Sequence, residues 1–179
     1  MLSPKIRARR LQAEFDRVRN MHEQKGLFAI ALTHGEPPDR YIFQFTCRGI
    51  AAIDNDEPIY STEHQVAVLL TETYPTTAPL MEWLTPIFHP NIRADGQAVC
   101  IGSWYPAKTL DQLVLMLGAM IQYQNYASHD PLNIEASLWA IAHKELFPVD
   151  DRSLLQPHRK IALPQSAIGA HNEPEIQIF

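Results

Sequence analysis

The sequence predicts an α+β fold: an antiparallel sheet covered by helices. Two observations predict it. One helix-period segment opens the chain, and four strand-like segments with short links follow it. Two further helix-period segments come only after the strands, and strands grouped apart from helices imply this architecture. A hydrophobic share of 46% in 179 residues is ample for one core. The expected organisation is a domain over residues 1–148 and a tail over 149–179, docked or partly disordered.

Ser3-Pro4 reads as a helix start, with a hydroxyl cap and proline at the first helical position. Leu11, Phe15, Val18 and His22 mark one apolar face, and the helix is expected to run to about Lys25 and stop at Gly26. Leu27–Thr33 is the first strand and residues 34–39 a turn. Tyr41–Arg48 alternates, which puts Tyr41, Phe43, Phe45 and Cys47 on one face, so Cys47 reads as a core residue. A polar stretch, residues 54–58, reads as a loop. Gln65–Leu70 and Leu80–Leu84 are the third and fourth strands of an antiparallel meander. Thr109 caps a helix with Leu110, Leu113, Val114, Leu117 and Ile121 on one face. A second helix is expected over Asn133–Phe147, ended by Pro148.

The stretch from Tyr74 to Cys100 organises the rest. Pro75, Pro79, Pro86 and Pro90 flank its one strand, which predicts an edge strand running out into an ordered loop. Asp95-Gly96 turns that loop and delivers Cys100. No run is long and apolar enough for a membrane span, and the N-terminus lacks the apolar core of a signal peptide. Two cysteines at 47 and 100 argue against a disulfide scaffold and a zinc site, so neither metal nor cofactor is expected, and a cytoplasmic, reducing location is.

The net charge of −5 is uneven. Residues 1–25 hold seven Lys/Arg against three acids. That is a solvated helix face or a surface for an acidic protein partner. No aromatic interleaving supports nucleic acid.

Cys100 is the one strongly nucleophilic group in its stretch, with His89, His64 and His129 as candidate bases. Residue type alone favours a small buried hydrophobe. A cysteine hydrolase has no support beyond the presence of Cys and His.

The ordered motifs change that balance. Tyr74-Pro75, Pro79, His89-Pro90-Asn91, Gly96, Cys100, Trp104-Tyr105-Pro106-Ala107 and Asp130-Pro131-Leu132 together resemble the ubiquitin-conjugating enzymes. The resemblance implies that Cys100 accepts a ubiquitin-like modifier from an activating enzyme as a thioester and passes it to a lysine of a protein substrate. It implies that Asn91 supplies the side-chain amide beside the thioester, that Asp130 gates the incoming lysine, and that His89 supports the loop. It also implies that Arg7, Arg9 and Arg10 on the first helix meet the activating enzyme. Tyr123 and Tyr126 line a groove for the modifier's tail or pack as helix partners. An alternative within the family is a non-catalytic variant that only binds a ubiquitin-like protein.

Some positions depart from the family pattern. The step from Asn91 to Cys100 is one residue longer than usual, and the loop from Cys100 to Trp104 is shorter. Thr76 stands where ligase-docking members carry an aromatic, and Tyr105 where the second ligase-docking loop has serine. Ligase recognition through Thr76, Trp104, Tyr105 and Pro106 is therefore expected to be divergent or absent. The departures resemble bacterial members encoded in operons beside an activating enzyme and a ubiquitin-like protein, some of them antiviral.

Overall fold

Helix α1 (Pro4–Glu23) begins where Ser3 caps it, the Ser3 hydroxyl accepting the Ile6 amide at 3.4 Å. The computed structural model describes residues 3–127 and 129–155, and the expectations for 156–179 lie outside them. The buried stripe of α1 is Leu11, Glu14, Val18 and Met21. It is rotated from the expected one: Phe15 is half-buried and His22 is exposed. A 3.6-residue period allows either stripe, and the docked helix buries the one containing the Glu14 carboxylate, which bonds the Tyr74 hydroxyl and the Leu110 amide.

Strands β1 (Phe28–Gly35), β2 (Pro38–Phe45), β5 (His64–Leu69) and β6 (Leu80–Trp83) form one antiparallel sheet in that spatial order. This is the expected meander, with β6 at its edge. The β2–β5 link, expected to be a loop over residues 54–58, carries a hairpin. Strands β3 (Gly49–Asp54) and β4 (Glu57–Ser61) form a separate two-stranded sheet. Its turn holds Asn55 at φ 49° and Asp56 at φ 70°, two left-handed residues in succession, which a tight hairpin requires and Asn and Asp tolerate. Pro58 within β4 masked the strand, and an edge strand accepts such a proline.

Helix α2 (Leu110–Ile121) buries Leu110, Leu113, Val114, Leu117 and Ile121, the face expected. With α1 it covers the sheet face made by Phe43, Phe45, Val66 and Val68. Cys47 is fully buried there, and burial pushes its thiol up to about 12.

The last helix is shorter than expected. Helix α3 spans Ile134–Ala142, and a separate 3-10 turn covers Lys144–Leu146. The break falls at His143, which has non-helical backbone. Its Nε2 lies 3.1 Å from Asp56 of the β3–β4 turn, and its ring stacks on Trp139. Tertiary contacts at the helix end outweighed a sequence period that continues through it. Trp139, Tyr123 and Ile50 form a second small core between α3 and the hairpin.

Residues 149–155 dock as a strap. The Leu154 carbonyl accepts the Leu27 amide at 3.0 Å, and Asp150 accepts the Arg48 amide at 3.1 Å. Leu154 crosses Gly26 and Gly118 so closely that a Cβ at either would lie 2.1 or 2.3 Å from its atoms. Among the described residues no helix is long and apolar enough to cross a membrane.

Candidate active site

The chain leaves β6 through Pro86 and turns at His89-Pro90-Asn91. A short ladder then runs back along it. Arg93 donates to the Ala98 carbonyl at 2.9 Å, Ile92 pairs with Val99, and the Cys100 amide donates to the Asn91 carbonyl at 2.7 Å. Asp95-Gly96 turns this ladder, with Gly96 at φ 76° and its virtual Cβ 2.4 Å from the Trp83 carbonyl. Only glycine fits there. Cys100 is thus fixed at the end of a hairpin, half-buried, with its backbone locked to Asn91.

The longer Asn91–Cys100 spacing is accommodated inside this hairpin, and the two residues remain partners. The Asn91 side-chain amide donates to the Cys100 carbonyl at 3.1 Å, and its Oδ1 accepts the Ala127 amide at 2.6 Å. One side chain therefore ties the cysteine loop to the loop that follows α2. The third loop is tied as well: the Leu132 and Asn133 amides both donate to the Pro90 carbonyl, at 2.8 and 3.1 Å.

His89 is fully buried. Its Nδ1 accepts the Asn91 amide at 3.1 Å, and its ring meets Tyr123 edge-on, with centroids 4.7 Å apart. Burial pushes its pKa down to about 3, so it is a neutral ring supporting a turn and takes up no second proton near neutrality. The Tyr123 hydroxyl donates to the Phe88 carbonyl, and Tyr126 packs on Phe147. Both tyrosines are packing partners at this turn. His64 is buried beneath the sheet, where its Nε2 meets the Ser61 carbonyl; His129 and Asp130 are exposed on the loop before α3.

On the other side, the Trp104 indole donates to the Pro75 carbonyl at 2.9 Å and its ring packs on Tyr74, at 5.9 Å. The two loops that carry the divergent positions are thereby one unit. Thr76, Tyr105 and Pro106 face solvent on it.

Of the three N-terminal arginines, Arg9 is exposed. Arg7 donates to the Leu70 and Thr71 carbonyls, and Arg10 to the Lys108 carbonyl at 2.6 Å. Both are committed to contacts within the chain. Arg10 also pairs with Glu14, one of the three acids of residues 1–25. Glu14 is fully buried and accepts the Tyr74 hydroxyl at 2.7 Å and the Leu110 amide, the first of α2, at 2.8 Å. A carboxylate at a helix N-terminus meets unpaired amides and a positive dipole end. A signal was present: Leu11, Glu14, Val18 and Met21 follow a helical stripe, so Glu14 had an inward face available.

The site is a half-buried thiol at a hairpin end, bracketed by three hydrogen-bonded loops, and among the described residues no imidazole is hydrogen-bonded to it. The family model described as ubiquitin-conjugating enzyme matches residues 10–149, and the chain belongs to that family. It is 32% identical over 96 residues to ubiquitin-conjugating enzyme E2 N of Drosophila melanogaster, covering 51% of this chain and 62% of the fly protein. It is 34% identical over 74 residues to the NEDD8-conjugating enzyme UBC12 of Kluyveromyces lactis, covering 39% of each. The chain thus spans less than two thirds of the length of these curated relatives. A solved structure described as a putative ubiquitin conjugating enzyme from Plasmodium yoelii aligns with a TM-score of 0.56 at 21% identity, over 82% of this chain and 90% of that one; it speaks for the fold.

Proposed function

We propose that this protein carries a ubiquitin-like modifier as a thioester on Cys100 and transfers it to a lysine of a protein substrate. The observation that carries the reading is the double tie between Asn91 and the partly exposed Cys100. In the first step the Cys100 thiolate attacks the thioester held by an activating enzyme. A new C–S bond forms on Cys100, and the activating enzyme's cysteine leaves as a thiolate. In the second, a neutral lysine amine attacks the Cys100 thioester. The C–N bond forms, the C–S bond breaks, and the proton shed by the amine ends on the departing sulfur or on solvent.

Asn91 acts in this scheme chiefly as a positioning residue, since both ends of its amide are bonded to backbone. It fixes the loop on which the carbonyl oxygen of the acyl group gathers charge during attack. Asp130, exposed on the loop that Leu132 and Asn133 tie to the Pro90 carbonyl, attracts and orients the lysine ammonium before it loses its proton. Of Arg7, Arg9 and Arg10, Arg9 is the exposed one and the candidate to meet an activating enzyme. Thr76 and Tyr105, in place of the residues that ligase-docking members use, favour a member that dispenses with RING and HECT ligases. This fits a bacterial system encoded beside its own modifier and activating enzyme.

The test is loading. Incubation with the cognate activating enzyme, ATP and modifier is expected to give an adduct that reducing agent removes. Cys100→Ser is expected to convert it to a reductant-resistant, base-labile ester, and Cys100→Ala to abolish it. An adduct that persists in Cys100→Ala refutes the reading.

A further inference from the structure

Helix α3 is packed the wrong way round for a helix that only closes a core. Its buried positions are mostly small, Ala136, Ser137 and Ala140, with Trp139 the one large exception. Its large aliphatic residues face water: Ile134 is 68% exposed, Leu138 65% and Ile141 53%. They stand at i, i+4 and i+7, a continuous stripe along one face. Solvent-facing apolar stripes of this kind mark interaction surfaces.

Beside the stripe lies a depression of about 500 Å³ between α3 and the β3–β4 turn. Phe88, Trp139, Ile53 and Leu138 give it apolar walls, and Asp56 and Glu135 stand on opposite sides of it. Asp54 and Glu57 flank Asp56 on the turn. His143 is the one basic group in its lining, and it is already engaged by Asp56. The surface is apolar with an acidic border. The start of the helix that carries the stripe is also tied to the candidate active site, because the Leu132 and Asn133 amides donate to the Pro90 carbonyl, one residue before Asn91.

We propose that this face docks the acceptor protein, through a segment that presents an aliphatic or aromatic side chain within a helical turn of lysine or arginine. The apolar side chain lies on Leu138 and Ile141. The basic side chain runs its methylene stem over Leu138 and Ile53 and sets its charge between Asp56 and Glu135, as long cationic side chains do on apolar surfaces with acidic borders. An acceptor lysine nearby is thereby held next to the Cys100 loop. A symmetric second copy is disfavoured, because a two-fold contact would set these carboxylates against themselves. The proposal rests on the thioester reading for its purpose, and its binding can be measured without it.

Two acetylated twelve-residue peptides with one central lysine serve as probes, one with leucine and arginine around the lysine, the other with each arginine replaced by glutamate. By fluorescence anisotropy the full chain is expected to bind the arginine peptide at least about tenfold more tightly than the glutamate peptide. Leu138→Glu, at an exposed position, is expected to weaken the arginine peptide by about tenfold, the scale of one lost anchor side chain. Glu135→Lys is expected to weaken it further as salt is lowered. In single-turnover discharge of the thioester, the arginine peptide is expected to outpace free lysine, and Leu138→Glu to remove that advantage. Equal binding of the two peptides, or indifference to Leu138→Glu, overturns the docking proposal. So does a wild-type dimer in light scattering that Leu138→Glu dissociates. Failure of the wild type to load at all strikes the thioester reading and leaves the binding measurement to judge the docking alone.

Discussion

Asn91 and Cys100 hold each other in both directions: the Cys100 amide donates to the Asn91 carbonyl, and the Asn91 side chain donates back to the Cys100 carbonyl. With the Ala127 amide on its Oδ1, Asn91 joins the two loops that flank the sulfur. Asn91→Ala leaves the Ala127 amide and the Cys100 carbonyl without this partner, at a cost of about 1–3 kcal/mol where such groups stay dry. The loss is local to the site. Discharge to lysine is expected to fall more than loading, measured as separate single-turnover rates, and the melting temperature is expected to drop by a few degrees only. A variant that loads and discharges like wild type would remove Asn91 from the site.

The two cysteines should part company chemically. Cys47 lies under the sheet with its thiol pushed up to about 12, whereas Cys100 is half-exposed. Brief treatment of the native protein with iodoacetamide is expected to give a single adduct, on Cys100, by peptide mass spectrometry. Cys47 should react only after denaturation. Comparable labelling of both would contradict the burial of Cys47.

Glu14 ties α1 to the Tyr74 turn and to the first amide of α2. Glu14→Ala removes the carboxylate that Arg10, the Tyr74 hydroxyl and the Leu110 amide share, leaving the Leu110 amide without its acceptor. Breaking a fully buried charge network costs about 3–5 kcal/mol; Arg10 and Arg17 keep some contact with water, so about 2–4 kcal/mol is expected from urea unfolding. Glu14→Gln keeps one acceptor and should recover part of the loss. A cost under about 0.5 kcal/mol, the level of an ordinary surface change, would refute the hub.

His89 predicts an acid limb of stability. Its folded pKa is depressed to about 3 by burial, below its unfolded value near 6.5. Between those values the unfolded chain holds a proton that the folded one refuses. Stability therefore falls as pH drops through 6.5 towards 3, by up to about 1.4 kcal/mol per pH unit from this residue. His64, also depressed by burial, adds to the same limb. His89→Gln is expected to flatten the slope of unfolding free energy against pH over this range, whatever it does to absolute stability. An unchanged slope would count against the buried neutral ring.

The strap over residues 149–155 rests on two glycines. Gly26→Ala would press a methyl group into the Leu154 carbonyl, and Gly118→Ala one into the Leu154 side chain. Overpacking of this kind costs about 1–3 kcal/mol. Limited proteolysis is expected to cut near residues 149–155 sooner in either variant than in wild type. Equal cleavage rates would mean that the strap does not depend on this close approach.

The legible parts of this protein were those written in short-range pattern. Alternation at Tyr41, Phe43 and Phe45 gave the central strand, the proline frame gave the edge strand β6, and Ser3-Pro4 gave the first helix end. The β3–β4 hairpin was hidden because Pro58 and two small alanines imitate a loop, and only pairing with each other makes strands of them. The face of α1 was misjudged by one position because a carboxylate reads as solvent-facing until a buried tyrosine hydroxyl, a helix end and two arginines are assembled around it.

By itself the sequence determined the layer order and the motif that brackets Cys100, because periodicity, proline and turn chemistry act over a few residues. Only the tertiary structure decided that His89 is a sealed support, that Arg7 and Arg10 turn inward while Arg9 does not, and that α3 breaks at His143 and shows its aliphatic side to water. Those outcomes depend on which groups share a dry interior and which remain in solvent. Burial is settled between segments distant in the chain, and no local pattern records it.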